Sequence, residues 1–328
     1  MRVLITGSSG FIGSRLARLF CDNHDVLSVD ILRYPFEHPR LHHLREDFVK
    51  LRVKDIRGVD IIYHLAAKLP VDKCSFEEYY RVNVRGTRVL LERSLEAGVK
   101  RFVYVSSSAV YGYPRSPITE GSLRRPREPY GLSKYYAELV CEQYRRDHGM
   151  DISIVRPRTV IGSKRLGILY LLFYWIRNNK HVYLIGDGRN RYQLLSIWDL
   201  IRALFTLRHK GDYEDFNLGT DKFLTLREDI DDLIRVAGSR SRIVLLPSFS
   251  KVMCRIADRF IPLARWHYDL IDRDFYFDIS KARDMLGWIP IHSNLEMLVE
   301  AYRTLDVSED HRSSHFSPVD LRLLRLLP

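Results

Sequence analysis

The chain is 328 residues long, 46% hydrophobic by residue count, and carries a formal net charge of +11. That length allows a large core, or one domain with a smaller appendage. Ordinary numbers of glycine and proline, without a low-complexity run or short repeat, exclude a repeat array and point to a soluble globular protein.

The four cysteines, Cys21, Cys74, Cys141 and Cys254, are widely spaced and form no CxxC pair. A reducing compartment, the cytoplasm, is the expected setting. Positive charge draws phosphate-bearing molecules and anionic surfaces. Lysine and arginine are nonetheless dispersed, with no zinc finger, basic arm or recognition helix, so a small phosphorylated ligand is expected and nucleic acid is not. The 12 histidines form no recognisable ligand set, and His42-His43 alone does not predict a metal.

Strands and helices alternate through the first half. Residues 3–6 read as a strand and 13–22 as a helix with Leu16, Leu19 and Phe20 on one apolar side. Residues 25–30, 60–65, 101–106 and 152–156 are further short strands, with helices over 82–97 and 133–147. This order predicts an α/β fold, a Rossmann-type parallel sheet with helices on both faces. Beyond residue 162 the order loosens: helix 166–178, strands 182–184 and 192–197 around a turn at Gly186-Asp187-Gly188, then helices 198–210 and 225–237.

The expected division is a Rossmann domain over 1–162, a smaller lobe over 163–302 with some elements returning to the first domain, and a tail over 303–328. The chain opens directly on a core strand, so no targeting peptide is expected there. Residues 243–271 are the most membrane-like stretch, but Lys251, Arg255, Asp258, Arg259 and Arg265 interrupt them. They read as a buried or substrate-covering helix, with no transmembrane segment and peripheral membrane contact left open.

The first strand runs into Gly7-Ser8-Ser9-Gly10-Phe11-Ile12-Gly13. Gly7 permits a tight turn, Gly10 a close backbone approach to a pyrophosphate, and Gly13 close packing of helix on sheet. The spacing differs from G-x-G-x-x-G, but the glycine roles are analogous, and the turn brings backbone N–H groups to a helix N-terminus. Asp30 ends the second strand, where a carboxylate accepts from a ribose diol and repels a 2′-phosphate. NAD is therefore expected over NADP, with Arg33 close enough to weaken the distinction. Asp47 and Phe48 follow another turn and are expected beside adenine. His64 is followed by Leu65, Ala66 and Ala67, small enough to leave room for a dinucleotide. The expected cofactor set is thus Gly7, Ser9, Gly10, Phe11, Ile12, Asp30, Asp47, Phe48, Leu65, Ala66 and Ala67, completed by Asn83, Tyr130 and Lys134 further along the chain.

Tyr130-Gly131-Leu132-Ser133-Lys134 sets a phenol and an ammonium one helical turn apart, on one face. A phenol is a poor base at neutrality, and an adjacent ammonium stabilises its phenolate. Tyr130 can then remove a hydroxyl proton as hydride leaves the same carbon, and return it in the reverse direction. Lys134 can also hold the nicotinamide ribose. Ser106-Ser107-Ser108 ends the preceding strand and offers a hydroxyl to the reacting oxygen.

Together these stretches resemble the extended short-chain dehydrogenase/reductase family, in its sugar-nucleotide epimerase/dehydratase branch. The resemblance is carried by residues 6–13, 64–67, Asn83-Val84-Arg85-Gly86-Thr87, 106–112, 130–134, 156–162, Asp278-Ile279-Ser280-Lys281-Ala282 and Leu286-Gly287-Trp288. Registered on Val110-Tyr111-Gly112, it implies Ser107 as the catalytic hydroxyl, with Tyr130 as base and Lys134 orienting the cofactor. It further implies Asn83 in the supporting hydrogen-bond network, a smaller C-terminal lobe for a sugar-nucleotide, and a homodimer formed through two helices per subunit.

Dehydratases of this family place Asp-Glu after the catalytic hydroxyl, where this chain has Ser108-Ala109, so loss of water is disfavoured and epimerisation through a keto intermediate is expected. The family's Arg-x-Phe-Asn pattern appears as Arg156-Pro157-Arg158-Thr159, and Tyr192 stands where a phosphate-binding arginine is common, with Arg191 beside it. Ser108, Arg158, Thr159, Arg191 and His267 are the expected substrate contacts. The apolar stretch 245–263 also resembles the substrate lobe of sterol- and flavonol-type reductases, which leaves a bulky hydrophobic alcohol or ketone as the rival substrate. A non-catalytic dinucleotide-binding regulator is the alternative outside enzymology.

Overall fold

The computed structural model describes residues 1–72, 74–163, 169–209, 214–247 and 273–305. His267, Arg265, most of the apolar stretch 243–271 and the tail from 306 onward lie outside the described residues. The strands are β1 (Arg2–Thr6), β2 (Asp25–Asp30), β3 (Leu41–Arg45), β4 (Ile61–His64), β5 (Arg101–Val105), β6 (Asp151–Pro157), β7 (Thr159–Ile161), β8 (Val182–Ile185), β9 (Leu194–Ser196), β10 (Asp215–Leu218) and β11 (Ile243–Leu246). The helices are α1 (Gly13–Cys21), α2 (Val53–Ile56), α3 (Phe76–Tyr79), α4 (Gly86–Glu96), α5 (Pro129–His148), α6 (Leu169–Arg177), α7 (Ile197–Thr206), α8 (Leu226–Val236), α9 (Ser280–Leu286) and α10 (Asn294–Arg303).

Seven strands form one parallel sheet in the order β10-β6-β5-β4-β1-β2-β3. The order reverses direction between β1 and β4, so a crevice opens at the carboxyl ends of those strands. Register brings the ends level: Thr6 lies opposite both Val29 and His64, and Val105 opposite Val155. Gly7, Asp30, Leu65 and Ser106 therefore leave the sheet along one edge.

Side-chain alternation splits the core between the two faces. Val3 and Ile5 pack with Leu16 and Phe20 of α1, Leu200 and Leu204 of α7, and Leu286 of α9. Leu4 and Ile62 pack on the other face with Leu90 and Leu91 of α4 and Val140 and Tyr144 of α5. A third core, with Phe173, Ile176, Leu184, Leu194, Leu233 and Met297, joins α6, β8, β9, α8 and α10. Among the described residues no helix is long and apolar enough to cross a membrane.

Several elements differ from expectation for identifiable reasons. α5 starts at Pro129 rather than at residue 133, because proline is favoured in a first helical turn, where its missing N–H costs nothing. The helix expected over 82–97 is preceded by a π-helical turn, Tyr80–Arg85. β3 (Leu-His-His-Leu-Arg) lacks an apolar run, since an edge strand is half solvated; pairing with β2 is what makes it a strand. β10 likewise exists only through its pairing with β6. The strand expected over 192–197 shrinks to Leu194–Ser196, because the Ser196 side chain accepts from the Trp198 N–H and caps α7.

Beneath the site edge lies a buried ion network. The Arg156 guanidinium donates through Nε and Nη2 to the two Glu138 oxygens, both at 2.9 Å, and through Nη2 to Asp215 at 2.7 Å. Its Nη1 donates to the Tyr111 hydroxyl at 3.1 Å, which donates onward to Asn217 at 2.9 Å. Arg156 and Glu138 are almost fully buried, and Glu138 also accepts from Arg124 at 2.7 Å, so removing Arg156 leaves the buried Glu138 carboxylate with one cation where it had two. Arg156→Met is expected to lower the unfolding free energy by about 3–5 kcal/mol in urea titrations; a loss below ~1 kcal/mol would show that the network contributes little.

Candidate active site

The turn after β1 is held from two sides. The Gly7 N–H donates to the Val29 carbonyl at 2.9 Å, and a side chain on Gly13 would stand 2.2 Å from the Gly7 oxygen. Any Cβ there would push α1 away from the strand it caps. Asp30 closes the turn across the edge: one carboxylate oxygen accepts from the Ser9 N–H and the other from the Leu32 N–H, each at 2.9 Å. Ser8 is buried and accepts from the Ser28 hydroxyl at 2.7 Å. Phe11 and Ile12 are half-buried at the start of α1.

His64 is locked between Thr6 and Thr87, at 2.7 and 2.9 Å, and burial holds its pKa down at about 3. It is therefore a neutral structural imidazole at the end of β4. Leu65, Ala66 and Ala67 follow, half-buried, with the Ala66 N–H donating to Thr6 Oγ1 at 3.3 Å. Phe48 turns inward, its ring packing on His64 at 4.9 Å between centroids, while Asp47 accepts from the Val49 N–H at 3.1 Å.

α5 meets the end of β5 closely. A Cβ on Gly131 would stand 2.6 Å from the Ala109 carbonyl oxygen, so only glycine lets the helix seat against the turn Ser108–Tyr111. Ser107 caps that turn, its Oγ accepting from the Ala109 N–H at 3.2 Å. Tyr130 sits in the first turn of α5 next to Gly131, half-buried, with the Tyr79 ring edge-on at 6.2 Å. Lys134 reaches back to the strand end, donating to the Val105 carbonyl at 2.7 Å over the Tyr104 ring at 4.3 Å. Burial pushes its pKa down to about 7, against support from Glu138 one turn further on. Ser107, Tyr130 and Lys134 thus gather where β5 meets α5.

Asn83 stands behind them. Its Oδ1 accepts from the Lys68 N–H at 2.7 Å, and its Nδ2 donates to the Lys68 carbonyl at 3.1 Å and to Ser133 Oγ at 2.9 Å. Ser133 donates to the Tyr130 carbonyl at 2.7 Å. Ser133 and Tyr79 escape sequence reasoning, because a serine or tyrosine at helical spacing carries no sign of what it will face.

Of the expected substrate contacts, three come together and one stands apart. Arg158 is buried and its Nη1 donates to Ser108 Oγ at 3.3 Å, while Thr159 shares a hydrogen bond with the Tyr192 hydroxyl at 2.9 Å. Arg191, one residue from Tyr192, is half-exposed and paired with Asp274 at 3.1 Å and with the Tyr276 hydroxyl at 2.6 Å. Among the described residues no group of three or more His, Cys, Asp or Glu is placed to hold a metal.

These groups fit a dinucleotide. The glycine turn lies at the switch point, a carboxylate stands at the end of β2, small residues follow β4, and a buried ammonium waits at the end of β5. Fold and site together define a Rossmann-type short-chain dehydrogenase/reductase. Residues 3–219 match the model of the NAD dependent epimerase/dehydratase family, and the chain belongs to that family. It is 33% identical to the uncharacterized protein y4nG of Sinorhizobium fredii, over 99% of this chain and 85% of the relative. The UDP-glucuronic acid 4-epimerase of Bacillus cereus, solved in complex with NAD, superposes with a TM-score of 0.75 at 25% identity, over 93% of this chain and 98% of that one. The dTDP-glucose 4,6-dehydratase DesIV of Streptomyces venezuelae, with NAD and TYD bound, superposes at 0.72 with 28% identity, over 93% and 96%.

The lowered Lys134 pKa has a consequence for stability. In the cofactor-free protein above about pH 7 the folded chain loses a proton that the unfolded chain keeps up to about pH 10. Stability from this group therefore rises with pH across that window. The unfolding free energy of wild type minus that of Lys134→Met is expected to climb between pH 7 and 10, by up to ~1.4 kcal/mol per pH unit, and to be flat below pH 6. A difference independent of pH across the window would refute the depressed ammonium.

Proposed function

We propose that the chain is a nucleotide-sugar epimerase that inverts a sugar carbinol through a transient ketone. The observation that carries this reading is the gathering of Ser107, Tyr130 and Lys134 beside the dinucleotide crevice. In this reading the turn from Gly7 through Ser9, Gly10, Phe11 and Ile12 holds the pyrophosphate. Asp30 holds the adenosine ribose, Asp47 and the backbone at Phe48, whose ring is turned inward, border the adenine, and Leu65, Ala66 and Ala67 border the nicotinamide half. Asn83 supports the Lys68 loop and the first turn of α5. NAD held there would supply the acceptor for a hydride from the sugar carbon and, once reduced, its donor.

The chain's own groups handle the proton and the geometry. Ser107 donates to the reacting sugar oxygen and keeps it within reach of Tyr130. Tyr130 accepts the hydroxyl proton as the ketone forms and returns it when the alcohol is restored. Lys134, charged, favours the phenolate and holds the nicotinamide ribose, and its partner Val105 fixes where that charge stands. Ser108 and Ala109 supply neither a carboxylate base nor a carboxylic acid, so the ketone has no group to expel water from the neighbouring carbons. Rotation of the ketone and return of hydride to its other face then complete an inversion.

The smaller lobe over 163–302, with Ser108, Arg158, Thr159, Arg191 and His267, would form the sugar-nucleotide side. Leu95 of α4 and Tyr136 and Leu139 of α5 are exposed apolar residues on the two helices through which a homodimer would form. A cytoplasmic setting accords with the cysteine pattern.

The test is to incubate purified protein with nucleotide-sugars and NAD while following both isomers and the NADH absorbance. Isomer interconversion without net NADH is expected. Stoichiometric NADH formation or use would replace the epimerase with a dehydrogenase or reductase. Tyr130→Phe is expected to keep the cofactor while losing turnover by about 10²–10⁴-fold; unchanged turnover would remove Tyr130 from the mechanism.

A further inference from the structure

Two buried arginines stand two residues apart in this chain, and their surroundings are opposite. Arg156 is matched by Glu138 and Asp215. Arg158 is only 3% exposed, yet among the described residues no carboxylate pairs with it, and its Nε and Nη2 have no hydrogen-bond partner. Aromatic rings surround it instead: its guanidinium lies 4.1 Å from the Phe275 centroid, 4.8 Å from Tyr192 and 5.8 Å from Phe277. An unpaired charge in such a place is costly unless something of opposite sign arrives. The family's usual Arg-x-Phe-Asn pattern has an apolar phenylalanine at this position, where this chain carries a charge.

The direction of its hydrogen bond to Ser108 says where that charge is felt. Arg158 Nη1 donates to Ser108 Oγ at 3.3 Å, and Ser108 is half-buried next to Ser107. A hydroxyl that accepts from a cation has its own hydrogen left to donate, and the cation strengthens that donation. Ser108 thus presents a polarised O–H beside the reacting sugar, with a full positive charge behind it. Tyr192, whose ring lies against the same guanidinium, shares a hydrogen bond between its hydroxyl and Thr159.

We propose that Ser108 and Arg158 form a subsite for a carboxylate on the sugar ring, so that the preferred substrate is a nucleoside diphosphate hexuronate rather than a neutral hexose. This rests on the epimerase reading above and narrows its substrate. The other anion available in such a substrate is the diphosphate. The contact with Ser108, next to the catalytic hydroxyl, places the charge at the sugar end.

The test measures kcat/KM for UDP-hexuronate and UDP-hexose, and the Kd of UDP alone by calorimetry, in wild type, Arg158→Phe and Ser108→Ala. Wild type is expected to prefer the hexuronate by at least tenfold. Both variants are expected to lower that preference by about 10- to 100-fold, the size of one charge-assisted hydrogen bond, with the Kd for UDP alone held within about threefold. Arg158→Phe keeps the volume and the aromatic packing; should it not fold, Ser108→Ala carries the measurement alone. An unchanged preference in the variants overturns the subsite while isomer interconversion still upholds the epimerase. A matching loss of affinity for UDP alone assigns Arg158 to the diphosphate and overturns the carboxylate assignment. Turnover of neither sugar by wild type overturns both.

Discussion

The bidentate contact between Arg156 on β6 and Glu138 on α5 governs where this site can form. Both side chains leave water almost completely, which neither tolerates alone. The pair holds helix and strand in one relative position, because two parallel hydrogen bonds of equal length admit little sliding or rotation, and Arg124 adds a second cation to Glu138 at 2.7 Å. Asp215 draws β10 into the same arrangement, and Tyr111 draws in the turn after Ser107. Lys134 lies one turn before Glu138 on α5, and Tyr130 one turn earlier still. Fixing Glu138 therefore fixes the phenol and the ammonium relative to the carboxyl edge of the sheet.

Electrostatics at the edge follow from that frame. Glu138 supports the charge on Lys134 while burial opposes it, which leaves an ammonium poised near neutrality. His64, between two threonines, stays neutral and adds no competing charge. The charge of Arg158 meets the same edge at Ser108, next to Ser107, while Lys134 meets it at Val105.

Much of the first half was legible because its periodicities are strong. Val3, Leu4 and Ile5 are apolar without interruption, as a strand covered on both faces must be, and the glycines after them leave few conformations open. Tyr130 and Lys134 at helical spacing announced a shared face. β3 was illegible because two histidines and an arginine fill it, and only hydrogen bonds from β2 make it extended. The start of α5 was hidden by Pro129 and Gly131, which read as a loop locally; one is at home in a first turn and the other answers a close approach from residues some twenty positions earlier. Phe48 faced inward onto His64, a choice made by packing against residues distant in the sequence.

The sequence by itself determined a parallel sheet, a glycine-rich turn at its carboxyl edge, a carboxylate at the end of the second strand, and a serine, tyrosine and lysine around the junction of β5 and α5. Each is local, encoded within a few residues by spacing and side-chain chemistry. The tertiary structure alone decided which of several arginines faces which partner. Arg191 was taken up by Asp274, Arg156 by Glu138 and Asp215, and Arg158 was left with a serine and aromatic rings. The guanidinium is the same in all three, and only long-range packing determines whether its charge is cancelled or kept.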